Sequence, residues 1–265
     1  MKNPSHQIAN LMQHAVDNSE DRPPLKRPIG SEHLGQCEDC RGNVRLIKFD
    51  DGSEKETGCR CEAKRYANDK QRAINAKSYE KASALHGDYA EKTFNDYRAA
   101  DQAQARALKL SKRYAEAFDE MLKKKQNLYF QGRPGTGKTH LAAAIRKVVR
   151  DQNYKVLFLS LPDYLGKVKA EFDNANTTYP IYKMAVDAEL LILDDVGANR
   201  MTDWEVSEIF RLVDARNGKC TIYTTNLKSS DMTASIGLSR IFSRMMANTE
   251  TIVLNGDDYR IGGPE

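Results

Sequence analysis

Eight residues near the middle of this 265-residue chain constrain its fold more than any other feature. The stretch Gly132–Thr139 reads GRPGTGKT and fits the pattern G-x-x-x-x-G-K-[ST]. An apolar run, Asn127–Gln131, precedes it, and a helix is predicted over Thr139–Arg150. In that setting the glycines let backbone N–H groups converge on a phosphate, and the helix directs its positive end to the same point.

The pattern therefore predicts a phosphate-binding loop between a strand and a helix. Lys138 is expected to reach the β- and γ-phosphates of a nucleotide, and the Thr139 hydroxyl is expected to ligate Mg²⁺. The residues predicted to contact the nucleotide here are Gly132, Pro134, Gly135, Thr136, Gly137, Lys138, Thr139 and His140.

Strands and helices alternate along the chain from about residue 92. The predicted strands are Asn127–Gln131, Lys155–Leu161, Leu190–Asp194, Thr221–Thr225 and Thr251–Leu254. The predicted helices are Ala99–Leu122, Thr139–Arg150, Asp163–Asn174, Trp204–Arg216 and Leu238–Ala247. Short apolar strands separated by longer helices indicate an α/β fold with a parallel sheet covered on both faces. Ligands of such sheets bind at the carboxyl ends of the strands.

Polar side chains follow two of these strands. Asp194 and Asp195 come at the end of the apolar run LLIL, and Asn226 follows Thr224-Thr225 at the end of the next strand. Asp194 is expected to hold Mg²⁺ through water, and Asp195 to polarise an attacking water molecule. Asn226 is expected to hydrogen-bond that water or the γ-phosphate. Because aspartate is one methylene shorter than the glutamate common at the second acidic position, we expect slow hydrolysis.

Three arginines near the end of the chain are candidate ligands of the γ-phosphate. Arg240 and Arg244 are four residues apart on a predicted helix and share one face, without an acid near them in the sequence. In an assembly, one of them could reach the nucleotide of a neighbouring subunit as an arginine finger. Arg260 is the third candidate, and the chain stops five residues later. We therefore expect no separate helical lid domain.

Four of the five cysteines lie in two close pairs, Cys37-x-x-Cys40 and Cys59-x-Cys61, separated by eighteen residues. Between them, Val44–Phe49 is a predicted strand followed by the turn Asp50–Ser53. Two pairs of thiolates on either side of a short hairpin predict a structural Zn²⁺ site with four sulfur ligands. His33 is an alternative ligand.

Composition excludes two classes of protein. Hydrophobic residues make up 40% and charged residues 29% of the chain. The longest apolar run, Leu141–Ile145, is far shorter than the ~18–20 residues that span a bilayer. The first residues lack the apolar segment of a secretory signal. We expect a cytoplasmic protein without membrane contact, and its net charge of +4 is too small to indicate nucleic-acid binding by itself.

The composition and residue pattern of the sequence indicate three segments. Residues 1–61 form an arm, with a short helix around Ile8–Val16, and the zinc module. Residues 62–92 form a basic helical linker, which is either a solvated helix or a contact to a nucleic-acid backbone. Residues 93–265 form the nucleotide-binding domain.

With these motifs in order, the chain resembles the helicase loaders of the DnaC/DnaI type, which are AAA+ ATPases. The resemblance covers roughly residues 93–260. It is carried by TFNDY from Thr93, GRPGTGKTHLAAAI, LLILDDVGA, YTTN, SRIFSRM and the closing GDDYR. The cysteine module resembles that of the DnaI branch, in which such a module binds the replicative helicase.

The resemblance implies ATP as the nucleotide and assigns further roles. It implies a first sensor at Asn226, a trans-acting finger at Arg244 with Arg240 beside it, and a second sensor at Arg260. It also implies that Phe94 and Tyr97 lie near the adenine. The positions that match single-stranded DNA contacts in the family are Phe172, Thr202 and Trp204, although Phe172 and Trp204 fit equally well as core residues.

The implied function is ATP-dependent loading of a hexameric replicative helicase onto single-stranded DNA. Subunits would assemble into a spiral or ring when ATP binds, and hydrolysis stimulated by assembly and single-stranded DNA would release the loader. Two alternatives stay open. One is a transposition-helper ATPase of the IstB type, which generally lacks a zinc module, and the other is a zinc-dependent adaptor that uses nucleotide only as a switch.

Overall fold

The structure is a computed structural model that describes residues 26–59, 61–85, 87–172, 180–197, 201–256 and 258–259, apart from the side chains of residues 62, 63, 88 and 172. The helix expected around Ile8–Val16 lies outside these residues. The described helices are all too short or too polar to cross a membrane. The chain divides into two compact units, the first ending at Ala67 and the second beginning at Asn68.

The first unit contains a three-stranded antiparallel sheet with the order β1-β2-β3. Its strands are β1 (Pro28–Gln36), β2 (Asn43–Phe49) and β3 (Glu54–Thr57). The predicted strand and turn after Cys40 are present as β2 and the residues that link it to β3. From the sequence, β1 was expected only as part of an extended arm. In the structure, its segment PIGSEHLGQ is a strand that is almost wholly exposed. Its backbone pairing with β2 holds it in the sheet.

The second unit is built on a sheet of five parallel strands. They are β4 (Asn127–Gly132), β5 (Val156–Ser160), β6 (Leu190–Asp194), β7 (Cys220–Thr225) and β8 (Thr249–Leu254). Their order is β5-β6-β7-β4-β8, so β4 lies between β7 and β8. The predicted α/β class with a parallel sheet is confirmed. This order brings the carboxyl ends of β4, β7 and β6 side by side.

Nine α-helices are described. They are α1 (Cys61–Ala82), α2 (Gln102–Glu116), α3 (Phe118–Lys124), α4 (Lys138–Asp151), α5 (Leu161–Phe172), α6 (Ile181–Asp187), α7 (Asp203–Ala215), α8 (Ser229–Met232) and α9 (Ile236–Met245). Short 3₁₀ helices cover Gly87–Ala90 and Phe94–Asp96. The two short helices α6 and α8 were not predicted.

The single helix predicted over Ala99–Leu122 is wrong. Helix α2 begins only after Asp101, whose carboxylate accepts a hydrogen bond from the N–H of Gln104 at 2.7 Å. It ends at Ala117, which leaves the helical region with φ −100° and ψ 34°. The break turns Phe118 into the core, where it is fully buried and its ring meets that of Tyr154 edge-on at 4.9 Å.

Alternate residues of the buried strands feed two cores on opposite faces of the sheet. Leu128 and Phe130 of β4 face the core that contains residues of α2 and α4, whereas Tyr129 faces the core that contains residues of α5, α7 and α9. Strands buried on both faces read as continuous apolar runs, as LLIL in β6 does. Each fully buried leucine or isoleucine contributes about 1.5–3 kcal/mol.

Arg216 is the most buried of the charged side chains described in the second unit. The guanidinium of Arg216, which is 3% exposed, donates to the carbonyls of Ala185, Val186 and Ala188. It also donates to the carbonyl of Cys220 and to the hydroxyl of Thr221. Burial lowers the pKa of Arg216 to about 10. Arg216 therefore ties the end of α6 and the residues before β6 to the first residues of β7.

We predict that Arg216→Lys lowers the free energy of unfolding by about 2 to 3 kcal/mol. A lysine ammonium cannot reproduce the planar fork, so some of the buried carbonyls lose their donor. Urea unfolding followed by the fluorescence of Trp204, the single tryptophan of the chain, measures this change. Arg106→Lys on the exposed face of α2 is the control and should leave the midpoint unchanged. Equal midpoints for the two variants would contradict the role of Arg216.

Candidate functional site

The loop between β4 and α4 leaves no room for side chains at two of its glycines. A Cβ on Gly132 would lie 1.8 Å from the carbonyl oxygen of Leu254 in β8. A Cβ on Gly137, which has a φ of +89°, would lie 2.5 Å from the ring of Tyr97. The glycines of the pattern thus serve the close packing of the loop against its neighbours as well as its curvature.

Lys138 and Thr139 open α4 directly after this loop. The ammonium of Lys138, which is 5% exposed, donates to the carbonyls of Gly132 at 2.9 Å and Arg133 at 2.6 Å. The Thr139 hydroxyl lies 3.0 and 3.1 Å from the two carboxylate oxygens of Asp194. The structure therefore brings the predicted lysine, threonine and first acid together at the carboxyl edge of the sheet.

Thr224 is a site residue that the sequence analysis did not single out. Its hydroxyl is fully buried, donates to Oδ1 of Asp194 at 2.5 Å and accepts a hydrogen bond from the N–H of Asp195 at 3.0 Å. It thus positions both acids from the neighbouring strand. A threonine in the apolar strand CTIYTT reads as an ordinary strand former, and only its place beside the acidic strand could have drawn attention to it.

Asp194 is 6% exposed, and this burial raises its pKa to about 6. The adjacent Asp195 also raises it, whereas the hydrogen bonds from Thr224 and Thr139 oppose the shift. The carboxylate is therefore ionised at neutral pH, but it lacks the solvation of a surface acid. A cation bound beside it would restore part of that stabilisation.

Asp195 and Asn226 lie at the mouth of the site. Asp195 has a left-handed φ of 55°, and the amide nitrogen of Asn226 is 3.5 Å from its Oδ1. Both residues line the same cleft as the phosphate loop. The structure therefore places the second predicted acid and the predicted sensor next to each other.

The cleft beside the loop has a volume of about 440 Å³. Tyr97 lines it, and its hydroxyl donates to the carbonyl of Thr136 at 3.3 Å. His140 also lines it, with Nε2 at 2.8 Å from the carbonyl of Thr93 and its ring edge-on to Tyr97 at 5.3 Å. Burial lowers the pKa of His140, so its imidazole is neutral at pH 7. Phe94 is buried in the core, away from the lining of the cleft.

Six lining residues were not predicted: Gly87, Tyr89, Lys92, Asp96, Arg98 and Tyr259. The N–H of Tyr259 donates to the carbonyl of Gly135 at 3.2 Å, and its hydroxyl donates to the carbonyl of Arg98 at 3.0 Å. Tyr259 therefore borders the phosphate loop. Only the final motif GDDYR could have suggested this, and it drew attention to Arg260, which lies outside the described residues.

The donor set fits a magnesium nucleotide. A loop of backbone N–H groups at the start of a helix, with a lysine beside it, suits a chain of phosphates. The Thr139 hydroxyl and the Asp194 carboxylate are hard oxygen ligands of the kind that Mg²⁺ prefers. The cleft lined by Tyr97 and His140 continues from the loop and has the volume of a small-molecule site.

Arg240 and Arg244 are not among the residues that line this cleft. Both guanidinium groups lie over the ring of Phe210, at 4.7 Å and 5.5 Å from its centroid, so they share a face as predicted. The expectation that no acid lies near them is wrong, because Nε of Arg244 donates to Oδ1 of Asp214 at 2.6 Å. Both side chains of this ion pair are exposed to solvent.

The three positions proposed for single-stranded DNA are only partly described. Trp204 is 41% exposed and lines a groove with Leu161 and Met201. Thr202 caps α7, since its hydroxyl accepts a hydrogen bond from the N–H of Glu205 at 3.3 Å. The side chain of Phe172, the last residue of α5, lies outside the described part of the chain.

The four cysteines of the first unit lie together, with all Sγ atoms within 4.8 Å of one another. The Sγ atoms of Cys40 and Cys59 are 3.7 Å apart. Tetrahedral zinc with Zn–S bonds of about 2.3 Å requires sulfurs about 3.8 Å apart, so this spacing fits the metal. The N–H of Cys40 and neighbouring groups lower the pKa of Cys37 to about 7, which favours a thiolate ligand. His33 lies on β1 opposite Arg45 and is outside this group.

Comparisons with known proteins agree with this geometry. A family model described as IstB-like ATP binding protein matches residues 63–263. The replicative helicase loader DnaC of Escherichia coli (strain K12) is 31% identical over 172 residues, which are 63% of this chain and 69% of that protein. DnaC of Buchnera aphidicola subsp. Acyrthosiphon pisum (strain APS) is 30% identical over 173 residues, with the same coverage.

Solved structures show the same core. The crystal structure of the DnaC helicase loader matches with a TM-score of 0.58 and 26% identity, over 64% of this chain and 100% of that one. The crystal structure of DnaI matches with a TM-score of 0.56 and 21% identity, over 66% and 93% of the two chains. The fold of the second unit is therefore that of the AAA+ ATPases. The four cysteines precede the region that the family model matches.

We predict that Thr224→Val weakens nucleotide binding about three- to tenfold in the presence of Mg²⁺ and leaves it unchanged in EDTA. The variant keeps the shape of the side chain but removes the hydroxyl that orients Asp194, a loss of about 1 kcal/mol. Titration of a fluorescent ATP analogue with and without Mg²⁺ measures both affinities.

Thr225→Val is the matched control for this experiment. It removes an equally buried hydroxyl from the same strand, but that hydroxyl donates to the carbonyl of Val196 at 2.6 Å and not to Asp194. It should leave the ratio of the two affinities as in the wild type. If the Thr224→Val protein also has the wild-type ratio of affinities with and without Mg²⁺, Thr224 is excluded as a positioning residue.

Proposed function

The chain belongs to the family of IstB-like ATP-binding proteins, and on that premise we propose that it is an ATPase that loads a hexameric replicative helicase onto single-stranded DNA. The observation that carries the proposal is its similarity to DnaC. The Escherichia coli protein is named a replicative helicase loader and is 31% identical over 172 residues. The crystal structure of a DnaC helicase loader, 26% identical, matches this fold over the whole of its chain.

In the proposed reaction, the phosphate loop binds the triphosphate of ATP. Lys138 exchanges the carbonyls of Gly132 and Arg133 for the β- and γ-phosphates. Thr139 and Asp194 would hold Mg²⁺, which would supply neutralisation of the charge that develops on the phosphates. Asp195 accepts the proton of the attacking water, and Asn226 orients that water or the γ-phosphate.

We propose that the site is completed by Arg244 of a neighbouring subunit, with Arg240 beside it. In the isolated chain Arg244 pairs with Asp214, and both side chains are about half exposed, at 46% and 51%. Such a surface pair contributes only about 0–1 kcal/mol. The guanidinium can therefore leave Asp214 for a γ-phosphate at low energetic cost. Arg260 is proposed as the second sensor of the same nucleotide.

We predict that Lys138→Ala abolishes ATP binding, whereas Arg244→Ala retains binding and loses turnover. A trans-acting arginine contributes about 10³–10⁵ to the rate of phosphoryl transfer, so at least a hundredfold loss in steady-state turnover is expected. Nucleotide titration and phosphate release, each at a concentration that permits assembly, measure the two effects.

Mixing the two variants tests the trans arrangement directly. In a mixed assembly a Lys138→Ala subunit supplies Arg244 to a neighbour whose phosphate loop is intact. Turnover should therefore reappear in the mixture although each variant alone is inactive. A mixture as inactive as its components, or full turnover by Arg244→Ala alone, would contradict the assignment.

Single-stranded DNA is proposed to contact the edge of the sheet near α5 and α7. Trp204 is exposed enough to stack on a base, an interaction worth about 1–3 kcal/mol. Lys169 lies in the same groove and supplies a positive charge for the backbone. Phe172 is proposed to stack likewise. Because the Thr202 hydroxyl already caps α7, its proposed contribution is through the backbone.

The first unit, with its four cysteines, is proposed to bind the helicase and to require Zn²⁺ for its fold. A module of this size buries too little apolar surface to be stable without its metal. Residues 62–92 are proposed as the link between this module at 1–61 and the ATPase domain at 93–265.

We predict that a Cys37→Ser, Cys40→Ser double variant loses bound zinc and helicase binding, and retains its ATP affinity. Metal analysis of the purified protein, size-exclusion chromatography with candidate hexameric helicases and nucleotide titration give the three readouts. Cys220→Ser is the matched control, because Cys220 is buried in β7, outside the cysteine cluster. A zinc-free double variant that still binds the helicase would place the partner site elsewhere.

A transposition-helper ATPase is the second candidate function, favoured by the description of the matching family model. The cysteine module ahead of the matched region argues for the loader. Parallel pull-downs with a replicative helicase and with a transposase separate the two functions, since each should retain only its own partner.

A further inference from the structure

The exposed face of α2 carries a cluster of basic side chains that the proposed function does not use. These four residues, which we call the α2 basic face, are Arg106, Lys109, Lys112 and Arg113. Residues 106, 109 and 113 are exposed and 112 is half-buried. At 3.6 residues per turn they fall within an arc of about 120°, along about 10 Å of helix. The opposite side of α2 packs against α4 and β8.

The charges of the α2 basic face are uncompensated, in contrast to those of the neighbouring helix. On α4, Arg146 and Arg150 pair with Glu80, and Lys147 pairs with Glu91. Within the described part of the chain, no acid lies within ion-pair distance of any member of the α2 basic face. The single acid of α2, Glu116, follows Lys112 by four residues and lies on the same side of the helix, so the α2 basic face keeps an excess of positive charge over this one acid.

The helix dipole does not explain this distribution. Basic residues are favoured in the last turn of a helix, where Arg113 lies. Arg106 and Lys109, however, lie outside the last turn of α2, so the dipole does not account for their positions. Four like charges on one face also repel one another. Their arrangement is therefore unfavourable for the isolated helix and becomes favourable when an anionic surface covers it.

The shape of the surface fits a sugar–phosphate backbone. Beside the basic side chains runs a shallow groove that is also lined by Ala105, Leu108, Glu116 and Ala117. The exposed large hydrophobic side chains of the described residues all lie on other elements, so α2 offers no aromatic ring for base stacking. Contacts to phosphates without stacking are typical of duplex binding that is independent of sequence, whereas single strands are held largely by stacking.

We propose that the α2 basic face binds the phosphate backbone of double-stranded DNA. This surface is separate from the groove at Trp204 that is proposed for single-stranded DNA, and it would let one chain contact both the duplex and the single strand at a junction. The contact depends on charge and not on nucleotide, so it goes beyond the proposed ATPase function.

The test compares two double variants that remove the same formal charge. Lys109→Gln with Lys112→Gln alters the α2 basic face and keeps good helix formers. The control, Lys124→Gln with Lys147→Gln, removes two lysines that already face Glu120 and Glu91. Fluorescence anisotropy of a labelled 30-base-pair duplex, without nucleotide and from about 50 to 200 mM salt, gives the affinity and its salt dependence.

We expect the α2 variant to weaken duplex binding and to lower the slope of log K against log salt by about 1.8, or 0.9 for each lost phosphate contact. The control should keep the wild-type slope, and Lys109→Arg with Lys112→Arg should keep it as well. Unchanged urea midpoints and ATP affinity show that each variant is folded. Because duplex binding is measured without nucleotide, its result does not depend on whether the proposed ATPase function is correct.

Three results would overturn the proposal. The first is a wild-type salt dependence of duplex binding in the α2 variant, which would indicate that the α2 basic face binds an acidic protein instead of DNA. The second is an equal loss in the control, which reduces the effect to net charge. The third is an equal or larger loss on a single-stranded oligonucleotide, which assigns the face to single strands.

Discussion

The hydrogen bonds around the carboxylate of Asp194 are the interaction on which the arrangement of the site depends. One oxygen accepts from the hydroxyl of Thr224 at the end of β7, and both lie near the hydroxyl of Thr139 at the start of α4. Three segments that are far apart in the chain are thereby joined at one buried acid. The raised pKa of Asp194 shows that this position costs solvation, which a bound cation would restore.

Polar side chains form hydrogen bonds at both ends of strand β7. These bonds help to fix the position of the two acids at the end of the neighbouring strand. At its amino end, Arg216 donates to the carbonyl of Cys220, and at its carboxyl end Thr224 bonds Asp194 and the N–H of Asp195. Between these points the strand is buried on both faces. A shift in the register of neighbouring parallel strands would move the two acids away from Thr139. The two polar networks and the apolar packing therefore stabilise the same register.

The sequence predicted the parts of this structure that depend on local pattern. Lys138, Thr139 and Asp194 could be expected to meet, because parallel strands end at one edge of a sheet. Contacts between residues far apart in the chain could not be predicted from the sequence. Asp214 pairs with Arg244, 30 residues later, and the role of Thr224 depends on which strand lies beside β6. The break at Ala117 was missed because no glycine or proline marks it in the sequence, whereas the structure shows that Phe118 is buried in the core directly after it. Phe94, which is expected near the adenine, is buried in the same core cluster as Tyr97, and its role stays a prediction.

The account rests on a magnesium nucleotide bound at the loop before Lys138. Isothermal titration of the full chain with a non-hydrolysable ATP analogue, first with Mg²⁺ and then with EDTA, tests this claim most directly. The account predicts one nucleotide per chain and a clearly weaker affinity once the metal is removed. Absence of binding in the presence of Mg²⁺ would contradict it, and so would an affinity that does not depend on the metal.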